Sequence, residues 1–349
     1  MTNKTISIHI VTYNSQEDII NCLEAGFRQD YPIEKIIIVD NASSDHTVER
    51  IQSRYKVNNV DNGLGLPEDS AAGVTHTETP AALIEQPVFP LYLLQNQSNT
   101  GFAPAHNQAI AASDADYVLV LNPDVTLAPD YVSRLVARME ADPEVGSATG
   151  KLLFKAAQGM VDSTGLRMNK ARRAFDRGAG EPTENWMESG EVFGVSGAAA
   201  MYSRLMIEEI SVDGDFFDAD FFAYKEDVDV AWRARLLGWK AYYDADAIGY
   251  HERGWKASGR SGKPLFIRRI SYINRYKMIF KNEPFRTMLK TILLSLPYEI
   301  AAHGYMLLKE PKMLKAWRSF FAQWGSLRKK RKWVQDRAKR KKAQRCNVK

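Results

Sequence analysis

Three acidic positions in this chain are spaced for work on a charged nucleotide. "KIIIVD" (35–40) closes on Asp40, and "YVLVLNPDV" (117–125) runs from apolar residues straight into Asn122-Pro123-Asp124. "EDVDVAWRARLLGWK" (226–240) opens on the pair Glu226-Asp227. A carboxylate at Asp40 can accept the N3–H of a pyrimidine, leaving Thr12, Tyr13 and Asn14 to hold base and ribose. A diphosphate leaving group needs its charge neutralised, usually by a divalent cation on one or two carboxylates, completed by phosphate oxygens and water. Asp124 suits that role, with Asn122 as a neutral helper. Displacement at a sugar carbon also needs a base within roughly 3 Å of the acceptor hydroxyl. An acid in the first turn of the helix starting at Glu226 would serve. Each residue also has a plain structural explanation: Asn, Pro and Asp form turns, and acids in a first turn suit the helix macrodipole.

The elements that would position these groups decide between the readings. "ISIHIV" (6–11) alternates and is β-branched, hence a strand. "SQEDIINCLEAGFRQ" (15–29) carries Ile19, Ile20, Leu23 and Phe27 at helical spacing, with Ser15 as the expected N-cap. A strand at 35–40, a helix in "SSDHTVERIQSRY", a strand at 91–96, a helix in "FAPAHNQAIAAS" and a strand in "YVLVLN" follow. This alternation predicts right-handed βαβ units and a parallel sheet. In such sheets ligands collect beyond the carboxyl ends of the strands. Those ends read Thr12-Tyr13-Asn14, Asp40-Asn41, Asn96 and Asn122-Pro123-Asp124, all polar and all on one edge. Residues 56–90 break the rhythm and read as a surface insertion. The second half is mixed: a strand, glycine-rich turn and helix start in "EVFGVSGAAAMYSR", the helix from Glu226 ending at Gly238, then two short strand-like pieces ending at His251. Asp229 is expected to face away from Asp227 and pair with Arg233, and Trp232 to lie in the core.

With 349 residues the chain can bury a large core. Cys22 and Cys346 give neither a disulfide framework nor zinc spacing, which favours a reducing compartment. The apolar stretch at the N-terminus is too short for a secretory signal, so none is expected. Net charge is +5, but residues 326–349 hold twelve basic side chains against one acid. That leaves 35 basic and 41 acidic side chains in residues 1–325, from 47 and 42 in the whole chain. An acidic body with a basic tail reads either as a disordered solvated tail or as a contact for an anionic surface. Residues 265–325 are helical, apolar and basic. Phe266, Ile270, Ile273 and Met278 or Ile279 form one stripe, and Met288, Ile292 and Leu296 recur every four residues, flanked by Leu289 and Leu293. These helices could pack as core or lie among lipid headgroups. The longest charge-free apolar run, Thr291 to Tyr298, falls far short of the about 20 residues a spanning helix needs.

Six segments, "IHIVTYN", "VDNASSD", "NTGFAPAHNQAI", "LNPDV", "GVSGAAAMYSR" and "FAYKEDVDVAWRARLLGWK", occur in an order and spacing that resemble the family 2 inverting glycosyltransferases. The likeness is greatest to the bacterial branch described as rhamnosyltransferase-like, and it covers residues 5 to about 280. It implies an α/β GT-A fold, a nucleotide-binding half fused to an acceptor half around a central mixed sheet, here with a C-terminal helical, basic extension. By the resemblance, Thr12, Tyr13 and Asn14 lie by the donor nucleotide, and Asp40 reads its base. Asn99, Gly101, Phe102 and Asn107 form the loop and helix start near ribose and diphosphate. Asn122-Pro123-Asp124 takes the place of the family's Asp-x-Asp metal motif, with Asn for the first Asp, so Asp124 would hold Mg2+ or Mn2+. Asp227 matches the catalytic base, and His251 falls where a further metal or phosphate ligand is found. Gly197 and Glu226 are assigned to the acceptor.

The expected organisation is a glycosyltransferase domain over 1–262, an amphipathic helical region over 263–325 and a disordered basic tail over 326–349. The expected reaction moves a sugar, rhamnose by the branch likeness, from a dTDP- or UDP-linked donor to a saccharide or polyprenyl-linked hydroxyl in cell-surface polysaccharide synthesis. The expected place is the cytoplasmic face of the inner membrane, held peripherally through the basic C-terminal region. A nucleotidyltransferase would show a glycine-rich loop with a basic residue where this chain has "VTYNSQED". Nucleic-acid binding through the tail would be salt-sensitive and sequence-blind. It is not expected, because the tail holds one aromatic, Trp333, and the body is acidic. An inactive scaffold is the remaining alternative, against which Asp40, Asp124 and Asp227 all stand.

Overall fold

The computed structural model describes residues 4–60, 89–157, 159–253 and 264–347. Its first half follows the expected alternation: β1 (Ile6–Thr12), α1 (Ile19–Phe27), β2 (Lys35–Asp40), α2 (Thr47–Arg54), β3 (Asn58–Val60), β4 (Leu91–Gln95), α3 (Phe102–Ala111) and β5 (Tyr117–Leu121). Strands β1, β2, β4 and β5 are apolar nearly throughout because both sheet faces are covered. Ile8, Ile10, Ile36, Ile38 and Leu119 face one core, while Ile37, Val39 and Leu94 meet Ala105 and Ala109 of α3 on the other side. Helix α1 begins later than expected. Residues 16–18 form a turn closed by Ile19 N–H on Ser15 O, and Asp18 stands in the cap position in place of Ser15. The 56–90 segment is not wholly irregular, because β3 pairs in parallel with β4 at the sheet edge. Residues 61–88 of that insertion lie outside the described residues.

The second half comprises β6 (Val125–Leu127), α4 (Tyr131–Ala141), β7 (Val145–Phe154), β8 (Val161–Ser163), β9 (Leu166–Met168), β10 (Ala174–Asp176), β11 (Gly190–Val192), β12 (Ala199–Ser203), α5 (Arg204–Ile210), α6 (Glu226–Leu237) and β13 (Lys240–His251). One sheet joins both halves in the order β11-β13-β7-β12-β5-β1-β2-β4-β3. Strand β12 runs antiparallel to β5 and β7, which makes the sheet mixed. This is the α/β architecture of a GT-A fold. The two strand-like pieces expected before His251 are one strand, interrupted by a register shift between Tyr243 and Ile248. Thr12, Asp40 and Gln95 are in register across the parallel strands, so their carboxyl ends do share an edge.

The C-terminal region differs most from expectation. It forms α7 (Leu265–Asn282), α8 (Phe285–Lys309), α9 (Trp317–Ala322) and α10 (Trp324–Asn347). The basic tail, expected to be disordered, is the long helix α10. It is ordered because the acidic body pairs with it. Lys330 Nζ lies 2.5 Å from Asp218 and 2.6 Å from Asp220, Lys329 3.0 Å from Asp213, and Lys341 2.8 Å from Glu209. Deeper still, Lys281 of α7 is fully buried between Asp218 (2.5 Å) and Asp229 (2.8 Å). Arg233 Nε (2.8 Å) and Asn282 Nδ2 (2.7 Å) also reach Asp229, so the expected Asp229–Arg233 pair is present inside a larger buried cluster. Together the two lysines hold the Asp218 pKa below the usual carboxylate range, overcoming the burial that would raise it. Trp232 is core, as expected. The Ile273 and Met278 stripe of α7 is also core, whereas Leu289, Ile292, Leu293 and Leu296 of α8 face outward. No helix among the described residues is long and apolar enough to cross a membrane.

Removing one partner from a buried ion pair leaves the other charge uncompensated, at about 3–5 kcal/mol. Lys281→Met should therefore lower unfolding free energy by about 3 kcal/mol, the lower end, since Asp218 keeps Lys330 and Asp229 keeps Arg233. Urea titration measures it; a loss under about 1 kcal/mol would show that α7 is not anchored by this cluster.

Candidate active site

The polar strand ends are knitted together before any ligand arrives. Thr12 Oγ1 donates to Asp40 Oδ1 (2.8 Å), Ser43 Oγ donates to the same oxygen (2.5 Å), and Ser43 N–H donates to Oδ2 (2.9 Å). An ionised carboxylate has about four acceptor sites. Three are taken, and Oδ2 keeps one. Tyr13 is half exposed beside this group, and Asn14, at φ +53°, accepts from Ser44 N–H (2.8 Å). Asn41 ties the next strand end to the loop before α3, donating to Gly101 O (3.0 Å) and accepting from Asn96 (2.9 Å). Asn99 Oδ1 accepts from Gly101 N–H (2.9 Å).

Gly101 is required where it stands. Its φ is +95°, and an added Cβ would lie 2.5 Å from Phe222 O. Ala103 N–H donates to that same oxygen (3.1 Å). The loop assigned to ribose and diphosphate therefore abuts the segment leading into α6. Gly197 completes the junction: a Cβ added there would lie 3.4 Å from the Phe102 ring and 3.7 Å from the Asp227 Cβ. Asn107, by contrast, does not face this space. Its Nδ2 donates to Phe217 O (2.7 Å) and its Oδ1 accepts from Phe217 N–H (2.9 Å), so its amide holds backbone rather than donor.

The two acids opening α6 differ in environment. Glu226 is buried with Oε2 lacking any partner among the described residues, and burial, reinforced by Asp227, raises its pKa. It is not open to an acceptor. Asp227 is half-buried, and its carboxylate accepts from Val228 N–H (2.7 Å) and, at a longer 3.4 Å, from Gly197 N–H. Burial raises its pKa too, while nearby Lys225 opposes the rise. Backbone donors favour an ionised carboxylate, and Asp227 accepts from two of them while Glu226 Oε2 has no partner among the described residues. The backbone leading there is strained: Phe222, Tyr224 and Lys225 have φ of +61°, +68° and +76°. Asn274 of α7 holds it, donating to Phe221 O (2.8 Å), Ala223 O (2.9 Å) and Tyr224 O (2.9 Å).

Asp124 follows β5, and β13 brings His251 beside it through the β6 pairing. Asp124 Oδ1 is buried, without an aligned hydrogen-bond partner among the described residues, and lies 3.2 Å from His251 Nε2. His251 Nδ1 is 2.7 Å from Asp162 Oδ2. Burial alone would lower the His251 pKa, but Asp124 and Asp162 overcome it and raise it to about 9. Arg253 continues the chain of charges to Asp162 (3.0 Å) and Asp176 (2.8 Å), and the Asp176 charge is felt at Asp227. The Asp124 oxygen and His251 Nε2 together could take a divalent cation, which would displace the proton that the two carboxylates favour on His251. Asn122 is held by its backbone, donating to Ala198 O (2.8 Å). Sequence reasoning missed Asp162, Asp176, Arg253 and Asn274. The first three are joined only by folding, and an Asn within an apolar and basic helix carries no signal of its own.

The sequence model described as Glycosyl transferase family 2 matches residues 7–65 and 76–211. Over 243 residues the chain is 23% identical to poly-beta-1,6-N-acetyl-D-glucosamine synthase of Staphylococcus aureus (strain COL), covering 70% of this chain and 48% of that protein. It thus spans about half the length of the curated relatives it matches. Among solved structures it is similar to GalNAc-T7 with UDP, GalNAc and Mn2+ (TM-score 0.54, 13% identity, 80% of this chain and 48% of that one). It is also similar to S. aureus TarS 1-349 in complex with UDP-GlcNAc (TM-score 0.53, 14% identity, 90% of this chain and 78% of that one). At these identities the structures show the fold alone.

The Asn107 geometry has a direct test. Asn107→Ala leaves a backbone N–H and a C=O of Phe217 unpaired, at about 1–3 kcal/mol for each group that water cannot reach. Thermal and urea unfolding should show that loss while UDP affinity, read by calorimetry, stays unchanged. A large loss of UDP affinity with full stability would restore Asn107 to the donor site.

Proposed function

The chain belongs to glycosyl transferase family 2, and from that membership we propose that it moves a sugar from a nucleoside diphosphate donor to an acceptor hydroxyl with inversion, using Asp227 as the base. The observation that carries this reading is the junction at Gly197, whose N–H points to the Asp227 carboxylate at 3.4 Å and whose missing side chain leaves room beside the Phe102 ring. The family match ends at residue 211, before α6, so the base assignment rests on this geometry.

In this reading the one acceptor site left on Asp40 Oδ2 takes the single N3–H of a uracil or thymine ring. Thr12 and Ser43 fix the carboxylate's orientation before the base arrives. Asn99 and the Gly101 turn present backbone to the ribose and diphosphate. Asp124 and His251 would hold Mg2+ or Mn2+, which when bound neutralises the charge of the diphosphate. Asp162 keeps the His251 ring turned so that Nε2 faces Asp124. Asp227 takes the acceptor hydroxyl proton as the oxygen attacks the anomeric carbon from the side opposite the diphosphate. The buried neutral Glu226 lets Asp227 remain the anionic member of the pair.

The similar structures hold UDP or UDP-GlcNAc and the similar synthase makes a polysaccharide, which we carry over as a UDP-linked donor and a cell-surface saccharide acceptor, free or polyprenyl-linked. Donor choice stays within uracil- or thymine-linked sugars. Rhamnose, suggested by the branch likeness, has no counterpart among the relatives found.

A panel of UDP- and dTDP-sugars with Mn2+ tests the reading. General bases contribute about 10²–10⁴-fold, so Asp227→Asn should cut transfer or donor hydrolysis by at least about a hundredfold while leaving UDP binding intact. Undiminished turnover in that variant would remove Asp227 as base. The base must be ionised and its pKa is raised, so kcat/KM should fall as pH drops through that elevated value. A rate that stays flat as the pH drops into the ordinary carboxylate range, about pH 4, contradicts the assignment.

A further inference from the structure

Helix α8 is packed inside out. Its buried residues are Thr291, Ser295 and Met306, and Glu299 on the same face pairs with Arg275 of α7 (2.6 Å). The opposite face carries Phe285, Leu289, Leu293, Ile300, Leu307 and Leu308, each more than half exposed. An exposed apolar stripe on one side of a helix whose polar side faces the protein marks an interaction surface rather than a misplaced core.

A cavity of about 1340 Å³ adjoins the start of this helix, walled by the C-terminal end of α6, the α7–α8 junction and α10. Leu236, Leu237, Phe280, Phe285 and Trp324 supply its apolar wall, and no carboxylate lines it. Nine Lys and Arg side chains do. Arg286, Arg328, Lys339 and Lys342 form no ion pair among the described residues. Arg331 is 7% exposed and sits against the rings of Phe280 (5.4 Å) and Phe285 (4.4 Å). Its Nη1 donates to Phe280 O, while its buried Nη2 has no partner among the described residues. A buried guanidinium nitrogen without an acceptor is costly, and its charge adds to the positive field of the cavity that Arg331 lines.

We propose that this cavity and the outward face of α8 form one docking site for an anionic phospholipid surface, the cavity taking a phosphate headgroup and α8 lying among the acyl chains. Charge complementarity and continuity select this occupant. Phe285 belongs to both the cavity wall and the apolar stripe, so a single amphiphilic surface covers them together. The site is separate from the catalytic one. Asp227 lies in the first turn of α6 and the cavity at its far end, from Arg235 to Gly238, about 12–16 Å along the axis, too far for a headgroup there to be the sugar acceptor. The inference therefore does not depend on the proposed transfer reaction.

Co-sedimentation of the full chain with vesicles tests it. Vesicles of phosphatidylcholine containing phosphatidylglycerol should bind the chain, and phosphatidylcholine alone should not. Near an anionic leaflet each basic residue is worth about fivefold in partitioning. Arg328→Gln/Lys339→Gln in the cavity should thus lose on the order of twentyfold, and clearly more than Arg337→Gln/Arg340→Gln, which lie outside it. Leu289→Ser/Leu293→Ser should weaken binding with the thermal midpoint unchanged, since both side chains are exposed. Equal losses from the two basic pairs would overturn the headgroup cavity. Failure to bind anionic vesicles, with saturable binding of inorganic diphosphate at the cavity, would assign a soluble anion instead. A doubled mass in light scattering that Leu289→Ser/Leu293→Ser abolishes would make the occupant a second copy of the chain. Either of these last two results ends the lipid proposal.

Discussion

Four residues before the α6 acids, the backbone leaves the usual right-handed regions at Phe222 and again at Tyr224 and Lys225. Such conformations cost about 1–3 kcal/mol each in non-glycine residues, and they persist only where the surroundings enforce them. Here the enforcement comes from Asn274, which reaches the carbonyl groups of Phe221, Ala223 and Tyr224, and from Ala103 N–H on Phe222 O. Lys281 and Lys330 then fix the flanking acids Asp218, Asp220 and Asp229. The position of Asp227 relative to Phe102 and Gly197 is set by that loop. The C-terminal helices are accordingly part of the catalytic scaffold, not an appendage to it. Their basic charge is in large measure the counterpart of the acidic body.

Much of the nucleotide-facing half was legible in the sequence because its signals are local. β-Branched runs ending in Asp or Asn give both the strand and the ligand-facing end, and a parallel sheet then forces those ends to one edge. The placement of Thr12 and Asp40 on one edge follows from that logic, whereas Asn99 and Gly101 are assigned only through the family resemblance. So does Asp124, whose orphaned oxygen beside His251 gives the Asn-Pro-Asp turn a purpose beyond turning. The signals fail where meaning depends on a partner distant in the chain. Asn107 is assigned to the donor by the resemblance, but its amide is taken up by the Phe217 backbone. The tail looked disordered because its charges could not be matched to Asp213, Asp218, Asp220 and Glu209 without the fold. On α8 the apolar period was visible, but not the direction it faces.

The site is assembled from two arms held together by charge. One runs from Asp124 through His251, Asp162 and Arg253 to Asp176. The other is the Glu226–Asp227 pair, whose ionisation responds to Asp176. Negative groups outnumber positive ones along this line, and the proposed reaction would place a divalent cation at one end and a retained proton at the other. That division suits a reaction in which a diphosphate leaves on one side of a sugar and a hydroxyl proton is removed on the other.

The most direct test of this account is a crystal structure of the chain with UDP and Mn2+. The account predicts manganese on Asp124 and His251, the uracil N3–H on Asp40, and a diphosphate whose sugar-bearing end points to Asp227 across Phe102 and Gly197. Manganese bound away from Asp124, or a diphosphate directed away from Asp227, would contradict it.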